Sequence, residues 1–141
     1  MRSILYIGIN LVGGVIHDED EWPARHAANL VWIDAQFAKH RQDIEVMIVF
    51  AHADPDLERN DPFFLPFFDR IRTIYYMPTI LIHRNLGIET SSSEENFDGI
   101  PNFAVLVAEG TFWPPMRVEM DTTATGAWSL VWDQGDWFDD L

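Results

Sequence analysis

The sequence predicts one α+β domain over residues 1–141, a β-sheet layered with helices. Three observations predict it. Short apolar runs rich in β-branched residues recur at strand length. Segments with apolar residues at helical spacing separate the first three of these runs. The later runs follow one another with no helical segment between them, so the order reads β-α-β-α-β and then β-β-β. The length suits one domain, because an ordered chain of this size buries roughly 68–70% of its unfolded surface. No internal repeat appears.

Ile4-Leu5-Tyr6-Ile7-Gly8-Ile9 is nearly all apolar and reads as a strand buried on both faces. Gly13-Gly14 and the acidic run Asp18-Glu19-Asp20-Glu21 form a loop. A helix follows, with Asp20 or Glu21 near its N-cap and Pro23 in its first turn. Ala27, Leu30, Val31, Ile33, Phe37 and Ala38 keep helical spacing to about Lys39. The acids at its start and Lys39, His40 and Arg41 at its end complement the helix dipole. Ile44 to Phe50 is a second buried strand, and Ala51 to Asp61 a polar loop. Pro62 to Tyr76 holds a second helix carrying Phe63, Phe64, Phe67, Phe68 and Ile71. Pro66 within it predicts a kink or a late start.

Thr79 to His83 is a third strand. Arg84 to Pro101 reads as a long mobile loop with Ser91-Ser92-Ser93 as filler. Asn102 to Ala108, Met116 to Asp121 and Ala127 to Trp132 are the last strands, and an acidic, aromatic tail runs from Asp133 to Leu141. The phenylalanines of the second helix belong to a core. Trp113, Trp128, Trp132 and Trp137 fall in the strand-rich end, where tryptophan commonly packs between layers.

With 23 acidic and 9 basic side chains the formal charge is −14, and 48% of residues are hydrophobic. That apolar content excludes a disordered chain. The acidity excludes a nucleic-acid backbone or an anionic membrane as main partner, since both require a basic face. Eight of the nine basic residues are Arg, which favours forked pairs with carboxylates. The absence of cysteine removes disulfides, thiolate metal sites and a thiol nucleophile. No stretch approaches the roughly 18 apolar residues of a membrane span. The first apolar run is too short for a signal-peptide core, so the expected location is cytoplasmic.

The segment Ile48-Val49-Phe50-Ala51-His52-Ala53-Asp54-Pro55 puts an imidazole and then a carboxylate at the carboxyl end of a buried strand, where ligands sit in open α/β sheets. Ile80-Leu81-Ile82-His83-Arg84-Asn85 repeats the pattern. Two histidines on neighbouring strand ends are able to share one metal ion, because neutral imidazole is a common ligand. The plainer alternative is that each histidine ends its strand by bonding a loop carbonyl. There is no glycine-rich phosphate loop, Gly-x-Ser-x-Gly elbow or His-Glu-x-x-His. His26 and His40 read as surface or boundary residues of the first helix, and His17 as a solvated loop residue.

The succession Ile7-Gly8-Ile9-Asn10-Leu11-Val12-Gly13-Gly14, Asn29-Leu30-Val31-Trp32-Ile33-Asp34, Val49-Phe50-Ala51-His52-Ala53-Asp54-Pro55, Ile80-Leu81-Ile82-His83 and Gly99-Ile100-Pro101-Asn102 resembles the latter half of a calcineurin-like metallophosphoesterase. The likeness runs from about residue 4 to 132, and the order of the motifs is its signal. It implies the C-terminal half of an αββα sandwich and a two-metal site for phosphate-ester hydrolysis. The family's Asp-x-His, first Gly-Asp-x-x-Asp and Gly-Asn-His motifs have no counterpart before residue 4. Gly135-Asp136-Trp137-Phe138-Asp139 matches only by chance, at the wrong end. If His83 takes the first position of a Gly-His-x-His motif, the second falls on Asn85. If it starts a His-Gly-Asp-x-His motif, the last falls on Gly87. Either way one imidazole is missing.

The candidate metal ligands are therefore His52 and His83, with Asp54 and Asn85 as extras, enough for one weakly held divalent ion (manganese, zinc or iron). The expected function is a truncated, catalytically degenerate relative of these phosphoesterases, inactive as an isolated chain. Two alternatives stay open: a non-catalytic interaction module on the same half-fold, or one half of an enzyme completed by a separate chain. The resemblance also implies an uncovered strand edge and apolar face, for which a homodimer burying at least about 1,000 Å² is the simplest remedy.

Overall fold

Strand β1 (Ser3–Gly8), helix α1 (Glu21–His40), β2 (Ile44–Ala51), α2 (Asp61–Thr73), β3 (Thr79–Arg84), β4 (Ser92–Glu95), β5 (Phe103–Ala108), β6 (Met116–Thr122) and β7 (Trp128–Gln134) follow in chain order. They come from a computed structural model that describes residues 3–11, 16, 18–84, 91–108, 116–122 and 128–134. Short 3₁₀ turns at Glu58–Asn60 and Phe97–Gly99 precede α2 and β5. The main sheet has five strands in the order β1-β2-β3-β5-β4, and β6 pairs with β7 in a separate two-stranded sheet. β1, β2, β3 and β5 run parallel, while β4 lies antiparallel on the outside of β5. The chain is thus mixed α and β, with two βα units followed by strands alone. No helix among the described residues is long and apolar enough to cross a membrane.

Strand alternation divides the sheet into two differently covered faces. Ile7, Met47, Val49, Leu81, Phe103 and Val105 point toward the helices and share one core with Leu30, Ile33 and Phe37 of α1 and with the phenylalanines of α2. Val46, Ile48, Ile80, Ala104 and Leu106 point the other way and pack with Leu130 and the apolar residues of the β6–β7 hairpin. Three hydrogen bonds dock that hairpin: Trp128 Nε1 donates to the Pro101 carbonyl at 3.1 Å, Trp132 Nε1 to Ser93 Oγ at 2.9 Å, and the Leu130 amide to Glu95 Oε1 at 3.2 Å. Trp128 and Trp132 accordingly sit half-buried between layers. Trp113, Trp137, His17 and the Gly135–Asp139 match lie outside the described residues.

Asp20 is the N-cap of α1, as expected, but Asp18 supplies the side-chain cap bonds. Its Oδ1 accepts from the amides of Asp20 and Glu21 at 2.9 Å each, and these bonds hold its carboxyl below the usual range. α2 starts on time at Asp61 and carries Pro66 inside, so the expected late start does not occur. It ends at Thr73, short of Tyr76, and releases Tyr75 to turn inward. Tyr75 is fully buried, and its phenol donates to Asp34 Oδ1 at 2.5 Å. Arg70 Nε reaches both oxygens of the same carboxylate, at 2.9 and 3.0 Å. One residue of α1 therefore holds both the end of α2 and the approach to β3. Burial, then the Asp34 bond, pushes the Tyr75 phenol far above its ordinary range.

Three expectations are corrected. β1 is buried on its helix-facing side only. Ile4 and Tyr6 on the other face are 43% and 62% exposed, because the hairpin covers β2, β3 and β5 and stops short of the sheet's edge. Residues 84–101 are not one loop: they contain β4 and the Phe97–Gly99 turn. Asn96, Asp98 and Gly99 all take positive φ there, a tight reversal that Asn, Asp and Gly tolerate best. An ion pair and a backbone bond from Arg72 to Asp98 fasten it to α2. Finally, His26 is no surface residue. It is 1% exposed, packed against Trp22 and Phe63, with neither ring nitrogen hydrogen-bonded.

Two predictions follow from this packing. Phe67 touches Phe63, Phe68, Tyr75 and Phe103, so Phe67→Ala should lower the unfolding free energy by about 3–5 kcal/mol in urea titrations. Burial, then the Arg25 charge, holds His26 below the 6.5 of a free imidazole. The unfolded chain therefore takes up the proton first as pH falls, and stability present above about 6.5 is lost below it. The urea midpoint should drop between about pH 7.5 and about pH 5.5, and drop less in His26→Leu. Equal drops would contradict a buried neutral His26.

Candidate functional site

The carboxyl ends of the parallel strands converge at one end of the sheet. His83 is the penultimate residue of β3 and stands in register with Ala51 on β2 and Val107 on β5. It follows Thr79 and Leu81 on the helix-facing side and is 3% exposed. Its Nδ1 has no hydrogen-bond partner. A buried ring nitrogen without a partner costs stability.

His52 lies one residue beyond the register partner of His83, past the end of β2. Its amide and that of Ala53 both donate to the Leu11 carbonyl at 2.9 Å, which ties the segment after β2 to the segment after β1. Asn29 Nδ2 of α1 donates to the Asn10 carbonyl at 2.9 Å and braces the same place. Asp54 then turns the chain: its Oδ1 accepts from the Asp56 amide at 2.9 Å, and its carbonyl accepts from Asn60 Nδ2 at 2.8 Å. This Asx-type turn is what the Asp-Pro pair after His52 encodes.

Two clefts result. One, of about 470 Å³, is lined by His83, Asp54, Asp56, Glu94, Phe97 and Val105, with Ser92 and Ser93 on its β4 side. The other, of about 350 Å³, is lined by His52 with Gly8, Asn10, Leu11 and Phe50. The structure thus brings His83 and Asp54 into one cleft, and places His52 beside it in another. Asn85 lies outside the described residues. Burial lowers the His83 imidazole below its ordinary range, against upward pulls led by Asp54 and a backbone hydrogen bond with Arg84, so the ring is neutral at pH 7. Among the described residues no group of three or more His, Asp or Glu is gathered to hold a metal.

Ser92, Ser93, Glu94 and Phe97 were invisible as cleft residues in the sequence. Four polar residues in a row carry no strand alternation, and only pairing with β5 places Ser92 and Glu94 beside Val107 and Val105. No family model, curated protein or solved structure matches the chain.

His83→Leu should therefore leave the fold intact and raise the unfolding free energy by about 1 kcal/mol, because it removes a buried unpaired nitrogen while filling similar volume. A loss of stability in urea titration would show that the imidazole has a structural partner.

Proposed function

We propose that the chain is a relative of the C-terminal half of calcineurin-like metallophosphoesterases that does not hydrolyse phosphate esters on its own. One observation carries this reading: His52 and His83 come to the same end of adjacent parallel strands, yet among the described residues no group of three or more His, Asp or Glu is gathered to hold a metal. A neutral buried imidazole with a free Nδ1, beside Asp54 and Asp56, suits one hydrated divalent ion such as manganese, zinc or iron. When bound, such an ion supplies Lewis-acid polarisation of a coordinated oxygen. Hydrolysis by a dinuclear clamp needs two ions about 3.5–4 Å apart with bridging carboxylate. Among the described residues no ligand set of that size is gathered.

The residues of this chain then hold and orient rather than cut. The Asx turn fixes the Asp54 backbone, β3 fixes His83, and the wall of Phe97 and Val105 limits water on one side. The half-exposed β1 favours a second reading, an interaction module on the same half-fold.

The purified chain should show no phosphodiesterase activity above background with manganese or zinc. A metal-dependent rate that disappears in His52→Ala would overturn the proposal, since it would require the two histidines to act on one centre.

A further inference from the structure

The two edges of the main sheet differ in chemistry. β4, on one side, is four residues long, wholly exposed, and carries Glu94 and Glu95. Short length and charge are the usual means of keeping an edge from pairing. β1, on the other side, is six residues long, with sequence Ser-Ile-Leu-Tyr-Ile-Gly, and carries no charge and no proline. Among the described residues it pairs with β2 only, so its outer N–H and C=O groups face no strand. Next to this edge the hairpin-facing side is bare. Ile4, Tyr6 and Phe50 are 43%, 62% and 43% exposed, and the Tyr6 and Phe50 rings stack with centroids 6.4 Å apart.

We propose that β1 pairs antiparallel with β1 of a second copy of this chain, across a two-fold axis normal to the sheet. Charge selects this edge. The chain carries −14, and pairing through β4 would set four glutamates together, whereas β1 brings no charged side chain to the seam. The pairing is also self-complementary. Such an axis keeps each face of one sheet continuous with the same face of the other, so opposed residues must share parity. Centred on Tyr6, it sets Tyr6 against the partner's Tyr6, Ile4 against the partner's Gly8 and Leu5 against the partner's Ile7. Every pair is apolar or glycine, and the Tyr6–Phe50 stacks of both copies form one covered strip. Among the described residues the main sheet has one such uncharged edge, and a two-fold axis uses it on both copies, so the assembly closes at two.

The rival surface is the outer side of α1, where Val31 and Trp32 are 65% and 51% exposed. A helix satisfies its own backbone and offers no template for a partner, which is why the strand edge is preferred.

Light scattering after size exclusion, at micromolar concentration, decides it. The native chain should run at twice its 16.3 kDa mass. Tyr6→Lys, which sets two ammonium groups together at the axis, should run at the single mass with an unchanged circular-dichroism spectrum. Val31→Lys should remain a dimer. Amide exchange within Ser3–Gly8 of the native chain should slow as concentration rises, a readout that needs no variant to fold. A native monomer, a Tyr6→Lys dimer, a dimer lost only in Val31→Lys, open-ended aggregation, or exchange independent of concentration would each overturn the proposal.

Discussion

The aromatic side chains of α2 fill the space between the main sheet and α1, and the rest of the structure depends on that wedge. Phe63, Phe64 and Phe67 are fully buried and Phe68 nearly so, and their rings contact one another, Tyr75, Phe97 and Phe103. Apolar area of this size supplies the main driving force for a small domain. The wedge gives no orientation by itself, because dispersion and area burial are non-directional. Direction comes from Asp34, which binds Arg70 and the Tyr75 phenol together. That partly buried carboxylate sets how far α2 slides along α1, and hence where β3 begins.

Register carries the constraint onward to the site. Thr79 pairs with Met47 and with Phe103, and from that start each residue of β3 is assigned its neighbours on both sides. Four steps later His83 arrives beside Ala51 and Val107. β4 and the Asp54 turn wall the cleft that opens beside His83. A ligand-sized opening thus lies at the carboxyl ends of parallel strands.

The interior tolerates two unpaired imidazoles for different geometric reasons. His26 is held between Trp22 and Phe63, where the Trp22 indole donates to the Arg59 carbonyl at 3.3 Å and closes the helix start over it. His83 sits at a cleft wall with carboxylates within electrostatic reach. The first imidazole has aromatic neighbours and the Arg25 charge nearby, and burial and that charge both oppose its protonation. The second faces a space that a cation can enter. Burial alone does not separate a core histidine from a ligand-seeking one; the surrounding charge does.

The sequence by itself determined the elements. β1, α1, β2, β3 and the three late strands are legible because strand and helix periods are written in consecutive apolar residues, and the Asp-Pro turn after His52 because its chemistry is local. The phenylalanines of α2 are legible as core for the same reason. Only the tertiary structure decided which face of each strand was covered. Ile4 and Tyr6 have the composition of buried residues, yet they lie where the hairpin does not reach. His26 occupies a position that looks like a helix surface, but the α1–α2 crossing closes over it. β4 has no signal in its own residues, since Ser92–Glu95 become a strand only through hydrogen bonds supplied by β5. The separation of His52 from His83 into two clefts has the same origin. Sequence places both at strand ends, but which cleft each lines depends on the register of β3 against β2 and on the Leu11 carbonyl that holds the chain after Ala51, and both are set by residues distant in the chain.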